Sequence, residues 1–397
     1  MSRLAIDRFE AAEAIGVIEP VLEGEPEVIA AIAIAAVLLI IGAWLTYRWW
    51  KRPPGVKLRR ALADRDEVSV LMHPNPDPDA MACAIGVARI AEGVDTEVTI
   101  QYPGQIRHQE NRAFQTVLDL TFEHIESADE LACDDVVLVD HDQPRGFAGA
   151  EQVNPFAVVD HHPGMGQGGY FTDVRPEYGA CASIVAEYFE DIGAERVGPE
   201  EEAAMNGDLE SVALPSTVAT GMLFGIQADT KHLTKGCTHA EFEACSYLYP
   251  VVDEDRLDRI ANPQVTAEVL EVKARAIERR DVRGSFAVSD VGELSDADAI
   301  PQAADELLSL EGVTAVVVLG ERKDTIHLSG RSRDDRVHMG RALENAVDGI
   351  PMSGAGGHAR MGGGQISATH MEGIGPSGGV SREELHDRLF DAMAGDV

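Results

Sequence analysis

The sequence predicts an α/β protein with a parallel-sheet domain and a smaller α/β domain, preceded by one transmembrane helix. Three observations predict this fold class. Apolar runs alternate with helical patterns, several of these runs are apolar without interruption, and one stretch near the N-terminus has 20 residues without a charge. Uninterrupted apolar strands between helices are typical of parallel sheets that are covered on both faces.

The uncharged stretch is "VIAAIAIAAVLLIIGAWLTY", residues 28–47. About 20 apolar residues let a helix cross the hydrocarbon core of a bilayer. Aromatic residues crowd its C-terminal end, and six cations follow within residues 48–60, whereas only Arg3 and Arg8 precede it. The positive-inside rule therefore predicts a single-pass cell-membrane protein with the N-terminus outside and the large C-terminal part in the cytoplasm. A cleaved signal peptide or a buried core helix fits less well, because the first 27 residues are acidic and cations directly follow the apolar run.

The charge balance is strongly acidic, with 68 Asp and Glu against 33 Lys and Arg and a net charge of -35. Only six of the 33 cations are Lys and the other 27 are Arg. An acidic, Lys-poor surface is typical of proteins from a high-salt cytoplasm, where salt screens self-repulsion. The acids are spread along the chain, which disfavours an acidic interaction tail. Long nucleic acids are not expected as partners, because they need a continuous basic groove.

The five cysteines are odd in number and show no C-x-x-C spacing. This pattern predicts core thiols in a reducing compartment, and neither a disulfide framework nor a zinc site.

The larger domain contains four predicted strands, "EVSVLMH", "DTEVTIQY", "DDVVLVD" and "FAVVD", with helical patterns between and after them. The smaller domain shows further strands and helices and a Gly-rich loop, "SGAGGHARMGGG". The predicted segments are an acidic extracytoplasmic tail (1–27), the membrane helix (28–47), a basic juxtamembrane linker (48–65), the larger domain (66–250), a helical linker (251–283) and the smaller domain (284–397).

Acid and imidazole side chains follow three of the predicted strands, and one more acid ends a later helical run. These residues are His73, Asp77 and Asp79; Asp140; Asp160, His161 and His162; and Asp229. The carboxyl ends of parallel strands are where open α/β sheets bind ligands, so these side chains are expected to meet. Imidazole with carboxylates and no thiolate favours Mn²⁺ or a similar divalent ion over structural zinc. Too many ligands for one ion predict two divalent ions, the arrangement that serves phosphoryl displacement.

The motifs "HPNPDPD", "VLVD", "DHH" and "GIQADT", spread over about residues 68–248, resemble those of the DHH phosphoesterase family. That family includes RecJ-like nucleases, oligoribonuclease/pAp phosphatases, cyclic-di-AMP phosphodiesterases and manganese-dependent pyrophosphatases. The resemblance implies one metal ion held by His73, Asp77, Asp140 and Asp229. It implies a second ion held by Asp79, Asp140, His161 and Asp229.

The resemblance also implies catalytic roles for the neighbours of these ligands. His162 would face the substrate phosphate, and Asp160 would orient the residues beside it. The chain departs from the family pattern at Pro78, where Gly is usual, and at His141-Asp142, where small hydroxyl residues are more usual. Asp142 is either an additional outer acid or a surface residue.

The C-terminal part resembles the DHH-associated domain through "SGRSR" (329–333) and "SGAGGHARMGGG" (353–364). In the family this region holds the nucleotide. The resemblance implies substrate contacts from Arg331, Ser332, Gly356, Gly357 and His358. A flexible glycine turn is the alternative interpretation of the second motif.

The leading functional hypothesis is a membrane-anchored, Mn²⁺-dependent phosphodiesterase that hydrolyses cyclic-di-AMP, linear dinucleotides or very short oligonucleotides. Its expected cofactors are two divalent ions, and its expected partners are a small nucleotide and the lipid bilayer, with a homodimer left open. Alternatives are a pAp phosphatase or nano-oligoribonuclease and a RecJ-like single-strand exonuclease. Outside the enzymes, a membrane-tethered nucleotide sensor remains an alternative.

Overall fold

The chain forms two compact units, one from residues 1–106 and 114–257 and the other from residues 107–113 and 258–397. The structure, a computed structural model, describes residues 30, 32–42, 52–106, 108–205, 212–373 and 379–395. Each unit is built around its own six-stranded sheet. The prediction of an α/β fold with a parallel-sheet domain and a second α/β domain is therefore confirmed.

The sheet of the first unit is entirely parallel, in the order β3-β2-β1-β4-β5-β6. Its strands are β1 (Glu67–Met72), β2 (Glu97–Pro103), β3 (Glu123–Ile125), β4 (Val136–Val139), β5 (Ala157–Asp160) and β6 (Phe171–Val174). A separate parallel pair is formed by β7 (Glu195–Val197) and β8 (Ala213–Pro215). Strands β4 and β5 are buried along their whole length, which explains their uninterrupted apolar sequences.

Helices connect these strands and cover the sheet. They are α1 (Pro54–Ala63), α2 (Pro78–Glu92), α3 (Gln109–Val117), α4 (Cys181–Asp191), α5 (Pro199–Met205), α6 (Ser216–Asp229) and α7 (His239–Leu248). Helix α1 lies within residues 48–65, the segment that the sequence predicted as a basic juxtamembrane linker. Its Leu58 and Leu62, one helical turn apart, are fully buried while Arg59 and Arg60 stay exposed. Because cations surround the two leucines in the sequence, this short apolar stripe is difficult to recognise from the sequence alone.

The second unit has a mixed sheet in the order β13-β14-β12-β11-β10-β9, in which only β10 and β11 pair in parallel. Its strands are β9 (Asp281–Arg283), β10 (Phe286–Glu293), β11 (Ala315–Arg322), β12 (Thr325–Ser332), β13 (Ser353–Gly357) and β14 (Met361–Ser367). Alternate residues of β11 enter two cores, with Val317 and Leu319 on one face and Val316 and Val318 on the other. This period of two places helices on both faces of the sheet.

The remaining helices are α8 (Glu254–Ala261), α9 (Ala267–Glu278), α10 (Ala299–Leu308), α11 (Met339–Val347), α12 (Ala368–Met371) and α13 (Arg382–Ala394). Helix α9 falls within the predicted helical linker. Val269, Val272 and Ala276 of α9 belong to a buried core of the second unit. Their spacing of three and four residues is that of an amphipathic helix face.

The sequence predicted a loop for the Gly-rich segment 353–364. In the structure this segment forms the β13–β14 hairpin. Gly356 pairs with Gly363 and Gly357 with Gly362 in register. Gly357 has φ 145°, and a Cβ at this position would lie 2.5 Å from the carbonyl oxygen of Met361. Glycine is therefore required here so that the two strands can approach each other.

The predicted membrane helix, residues 28–47, lies partly outside the described residues, as do the acidic tail (1–27) and the aromatic residues 44–50. Residues 32–42 are helical. Their large apolar side chains are exposed, including Leu39 at 75% and Ile40 at 68%. Within the part of the chain that the structure describes, no helix has both the length and the apolar character needed to cross a membrane.

Candidate functional site

The register of the parallel sheet aligns the ends of three neighbouring strands. Met72 of β1 pairs with Val139 of β4, which in turn pairs with Val159 of β5. The residues that follow, among them Asp140 and Asp160, are therefore delivered to one edge of the sheet. This is the meeting of acid and imidazole side chains that the sequence predicted for the carboxyl ends of the strands.

Asp140 lies at the centre of this edge and is 1% exposed. Its Oδ2 is 3.4 Å from His73 Nε2, and its Oδ1 is 3.3 Å from His161 Nε2. One carboxylate thus offers a different oxygen to each of two imidazoles. Its backbone has φ 61°, a left-handed conformation that is uncommon outside glycine and tends to occur at functional sites.

The two imidazoles are oriented by backbone carbonyls. His73 Nδ1 lies 3.0 Å from the carbonyl oxygen of Pro74, and His161 Nδ1 lies 3.1 Å from that of Tyr178. A carbonyl oxygen only accepts hydrogen bonds, so Nδ1 carries the proton in both rings. Each Nε2 therefore faces the carboxylates, as in a metal-binding histidine whose other nitrogen is held by the protein.

Helix α2 brings two further carboxylates through its first residues. Asp77 caps the helix by accepting a hydrogen bond from Ala80 N at 3.1 Å, and its Oδ2 lies 3.7 Å from His73 Nε2. Asp79 is fully buried, and its two oxygens accept hydrogen bonds from the amides of Cys181 (2.6 Å) and Ala182 (2.9 Å) at the start of α4. Pro78 occupies the first position of α2, where proline fits because no amide hydrogen bond is lost.

Asp229 reaches the site from the last residue of α6, and its Oδ2 lies 3.4 Å from His161 Nε2. Gly225, one turn earlier, allows the close approach of α6 to α2. A Cβ at this position would lie 2.9 Å from the Cβ of Ala82 and 3.1 Å from the Cα of Asp79. The sequence "GIQADT" therefore combines a ligand candidate with the glycine that brings its helix into contact with Asp79.

Among the described residues, three groups of side chains could hold a metal ion, each with its ligand atoms within 4.8 Å of one another. The groups are His73, Asp77 and Asp140; Asp79, His161 and Asp229; and Asp140, His161 and His162. All six residues predicted as metal ligands occur in these groups. Asp229 is grouped with the second predicted ion but not with His73 and Asp77, where the resemblance had also placed it.

A cation fits this site because two of its buried polar atoms have no hydrogen-bond partner, Asp140 Oδ1 and His161 Nε2. Buried polar atoms are rarely left unpaired, and a metal ion between them would satisfy both. Burial lowers the pKa of His73, but the carboxylates of Asp140 and Asp77 outweigh it and raise it to about 10. Burial alone would raise the pKa of Asp140, yet the two imidazoles hold it well below its usual range.

Asp160 is fully buried and holds His162. Its Oδ1 accepts a hydrogen bond from the His162 amide at 3.0 Å and lies 2.9 Å from His162 Nδ1. This contact raises the pKa of His162 above its ordinary value. The His162 side chain is 55% exposed, and its Nδ1 lies 3.6 Å from Asp140 Oδ1. The geometry agrees with the orienting role that the resemblance implied for Asp160.

Two residues next to Asp140 have structural contacts that the sequence left open. Asp142 Oδ2 accepts a hydrogen bond from the Gly166 amide at 2.8 Å and so fixes the loop that follows His162. His141 is buried, with Nδ1 2.9 Å from the carbonyl oxygen of Val139, and burial lowers its pKa to about 4. Both therefore support the backbone around the site.

The second unit contains a cavity of about 370 Å³ between β12, the β13–β14 hairpin and α10. Arg331, Gly357 and His358, three of the predicted substrate residues, line it together with Asp305. Ser332 is buried and its hydroxyl contacts the backbone of Asp334. Ser332 and Gly356 are not among the described residues that line the cavity.

Arg331 is already engaged by protein groups. Its Nε donates to Asp305 Oδ1 at 2.7 Å, and its Nη1 donates to Ser329 Oγ and to the carbonyl oxygen of Gly330, both at 3.1 Å. No sequence motif pointed to Asp305, which lies 26 residues earlier on α10. An anion that binds Arg331 through Nε must first displace this carboxylate.

Comparison with known proteins gives the same division into two domains. Residues 67–226 match the DHH family, N-terminal domain, and residues 283–374 match the DHHA1 domain. Among solved structures, an exopolyphosphatase-related protein from Bacteroides fragilis shares the fold, with a TM-score of 0.56 at 15% identity, covering 85% of this chain and 94% of that chain.

Two curated relatives extend over most of the chain. An uncharacterized protein of Methanocaldococcus jannaschii is 34% identical over 326 residues, which are 81% of this chain and 61% of that protein. The cyclic-di-AMP phosphodiesterase GdpP of Geobacillus thermodenitrificans is 27% identical over 354 residues, 83% of this chain and 49% of that protein. The chain spans about half the length of the curated relatives it matches. On these two matches, the chain contains a DHH domain followed by a DHHA1 domain, and the candidate ligands from all four motifs lie close together in the first of them.

Proposed function

We propose that this protein is a metal-dependent phosphodiesterase that uses two divalent ions, Mn²⁺ first among them, to hydrolyse small nucleotides. The observation that carries the proposal is Asp140, whose two oxygens face two different imidazoles in two overlapping ligand groups. A carboxylate in this position could serve as a ligand to both ions. When bound, such ions activate water and neutralise charge on the phosphoryl oxygens. Imidazole and carboxylate ligands without thiolate suit Mn²⁺.

The side chains around the ions have separate tasks in this proposal. His73, Asp77 and Asp140 would hold one ion, and Asp79, His161 and Asp229 would hold the other together with the shared Asp140. His162 faces the substrate. With its Nδ1 held by Asp160 and its pKa raised by that contact, His162 keeps a proton at Nε2 and donates it to the departing oxygen or to a phosphate oxygen.

The proposed substrates are cyclic-di-AMP, linear dinucleotides and very short oligonucleotides. Relatives named cyclic-di-AMP phosphodiesterases occur in Geobacillus thermodenitrificans and Listeria monocytogenes, which supports a dinucleotide. The cavity of the second unit supports it too, because about 370 Å³ lined by Arg331 and His358 suits one part of a nucleotide. In this proposal the metal centre carries out the chemistry, and Arg331 and His358 contribute to nucleotide recognition.

A substrate panel tests the proposal. The full chain is purified in detergent and assayed with Mn²⁺ at high salt, because a net charge of -35 needs screening. The panel contains cyclic-di-AMP, the linear dinucleotide pApA, pAp, pyrophosphate and single-stranded DNA. Fast turnover of the dinucleotides supports the proposal. Preference for pAp or for long DNA would support the phosphatase or the exonuclease instead, and binding without turnover would support a sensor.

Substitutions in the cavity should separate nucleotide recognition from chemistry. Arg331→Ala and His358→Ala should lower kcat/KM for a dinucleotide about 10- to 150-fold, since charged hydrogen bonds contribute roughly 1.5–3 kcal/mol. Hydrolysis of bis-p-nitrophenyl phosphate should change little, because this ester is too small to need the cavity. An equal loss on both substrates would show that the cavity residues only support the fold.

Asp305→Asn is a matched variant that should improve dinucleotide binding, whereas Arg331→Ala and His358→Ala should weaken it. It keeps the shape of the side chain that contacts Arg331 Nε but removes its charge. The Arg331 guanidinium is then released to an incoming phosphate, so KM for the dinucleotide should fall. A rise in KM would show that Asp305 is needed to orient Arg331.

We also propose that residues 28–47 anchor the protein in the cell membrane with the N-terminus outside and the catalytic part in the cytoplasm. The uncharged span, the cations that follow it and the exposed apolar side chains of residues 32–42 support this topology. Protease added to intact cells should leave the C-terminal domains uncut. Their digestion, or a mature chain that begins beyond residue 45, would contradict the anchor.

A further inference from the structure

One short stretch of backbone, residues 178–182, contacts ligands of the proposed metal centre from two directions. The Tyr178 carbonyl accepts a hydrogen bond from His161 Nδ1 and so fixes the proton position in that ring. The amides of Cys181 and Ala182 donate to the two oxygens of Asp79. The position of the 178–182 segment therefore determines the orientation of two side chains that share one ligand group.

The Tyr178 end of this segment is held by a polar network. Arg175 donates from Nη1 to the Tyr178 hydroxyl at 2.9 Å and to Glu187 Oε2 at 2.6 Å. The Tyr178 hydroxyl also donates to Glu187 Oε2 at 2.7 Å, and Asp173 binds the other side of the guanidinium with both oxygens. This network fixes the Tyr178 side chain but makes no contact with the middle of the segment.

The middle of the 178–182 segment is held by one distant carboxylate. The Gly179 amide donates to Glu241 Oε1 at 2.8 Å, across 62 positions of sequence. Glu241 Oε2 accepts from the amide of Thr238 at 2.6 Å and from its hydroxyl at 2.9 Å. No side chain could replace the Gly179 hydrogen, because a Cβ there would lie 2.5 Å from the carbonyl oxygen of Gly236.

Glu241 is more buried than a capping residue requires. It is fully buried, although it belongs to a capping box at the start of α7, a motif that works equally well in solvent. A buried carboxylate is costly unless its oxygens accept hydrogen bonds. One of the two oxygens of Glu241, Oε1, accepts its hydrogen bond from the Gly179 amide. Glu241 also lies beyond the DHH domain match, which ends at residue 226.

We propose that Glu241 is a positioning residue of the metal centre, which acts through the 178–182 segment on His161 and Asp79. The inference rests on the proposed function only in taking these two residues as metal ligands. Groups that orient metal ligands are typically worth 10- to 100-fold in metal affinity. The ion held by Asp79, His161 and Asp229 should therefore depend on Glu241 more than the ion held by His73 and Asp77.

The test measures Mn²⁺ binding to the full chain by calorimetry, beside the melting temperature of the metal-free protein. Glu241→Ala should weaken the binding of one of the two ions about 10- to 100-fold. Glu241→Gln keeps one acceptor oxygen and should lie between Glu241→Ala and the wild type. The matched control is Thr238→Ala, which removes the hydroxyl contacts of the cap and leaves the bond from Glu241 to Gly179 in place.

Thr238→Ala should lower the melting temperature and leave Mn²⁺ affinity within about twofold of the wild type, because it weakens only the cap. If both Glu241 variants bind Mn²⁺ as Thr238→Ala does, Glu241 is a capping residue only and the proposal is wrong. If Glu241→Ala does not fold, the comparison of Glu241→Gln with Thr238→Ala decides in the same way. A wild type that binds two Mn²⁺ ions but hydrolyses no nucleotide would overturn the proposed function. The role of Glu241 would still be tested by the Mn²⁺ affinities of the variants.

Discussion

Replacing Asp140 with Asn should lower turnover of a dinucleotide by more than about 1,000-fold, since it removes a carboxylate proposed to bind both ions. Asn has almost the same shape and tolerates the left-handed backbone at this position, φ 61°, better than Ala does. The loss would therefore report the missing charge and not a disturbed fold. Steady-state kinetics at saturating Mn²⁺ and a Mn²⁺ titration measure it.

The matched control lies at the other end of the same strand. Asp135 directly precedes β4, as Asp140 follows it, and pairs with Arg65 at 2.9 Å far along the strand from the ligand groups. Asp135→Asn should keep near-normal turnover. Asp229→Asn should be as damaging as Asp140→Asn, and the double variant should be no worse than the more damaged single variant, because residues that act as one site give non-additive losses. Metal-independent turnover would contradict the two-ion assignment.

The affinity for each Mn²⁺ ion should rise with pH, by about one log unit per pH unit between pH 6 and 8.5, because each ion is proposed to bind one of the two imidazoles. In the metal-free site the carboxylates raise the pKa of His73 to about 10 and that of His161 to about 12, although burial acts in the opposite direction on both. Both imidazoles are therefore in the positively charged form, with a proton on each ring nitrogen, over this range. A metal ion binds the neutral ring only, so binding must release both protons.

The sign follows from this proton count. The metal-free site holds more protons than the loaded site, so raising the pH favours the loaded site. The raised pKa of His73 also stabilises the metal-free fold fully below the unfolded value, about 6.5, and this contribution is lost as the pH rises through about 10. Protons and metal ions thus stabilise the site over opposite pH ranges.

Calorimetry in buffers of different ionisation enthalpy counts the protons directly. The wild type should release about two protons when both ions bind, and His161→Gln should release about one. An affinity that does not change with pH, or a proton count near zero, would show that the imidazoles are neutral before the metal ions arrive or do not bind them.

The α/β class and the chemistry at the carboxyl ends of the strands could both be predicted from the amino-acid sequence alone. Uninterrupted apolar runs such as "VVLV" and "FAVV" are a local property, because a strand covered on both faces must be apolar throughout. A parallel sheet then delivers the residues after such strands to one edge. For this reason Asp140, Asp160 and His161 could be assigned to one site without knowledge of any contact between them.

Which ligand group each of these side chains joins, and which residues orient it, depends on the tertiary structure. The split of the Asp140 oxygens between His73 and His161, and the pairing of Arg331 with Asp305, are set by distances between elements far apart in the chain. The T-x-x-E capping pattern at Thr238–Glu241 is visible in the sequence, but its bond to Gly179 is not. Residues 353–364 likewise form a hairpin where the sequence predicts a loop. Local composition measures propensity, whereas burial and strand pairing supplied by the rest of the chain select the structure that forms.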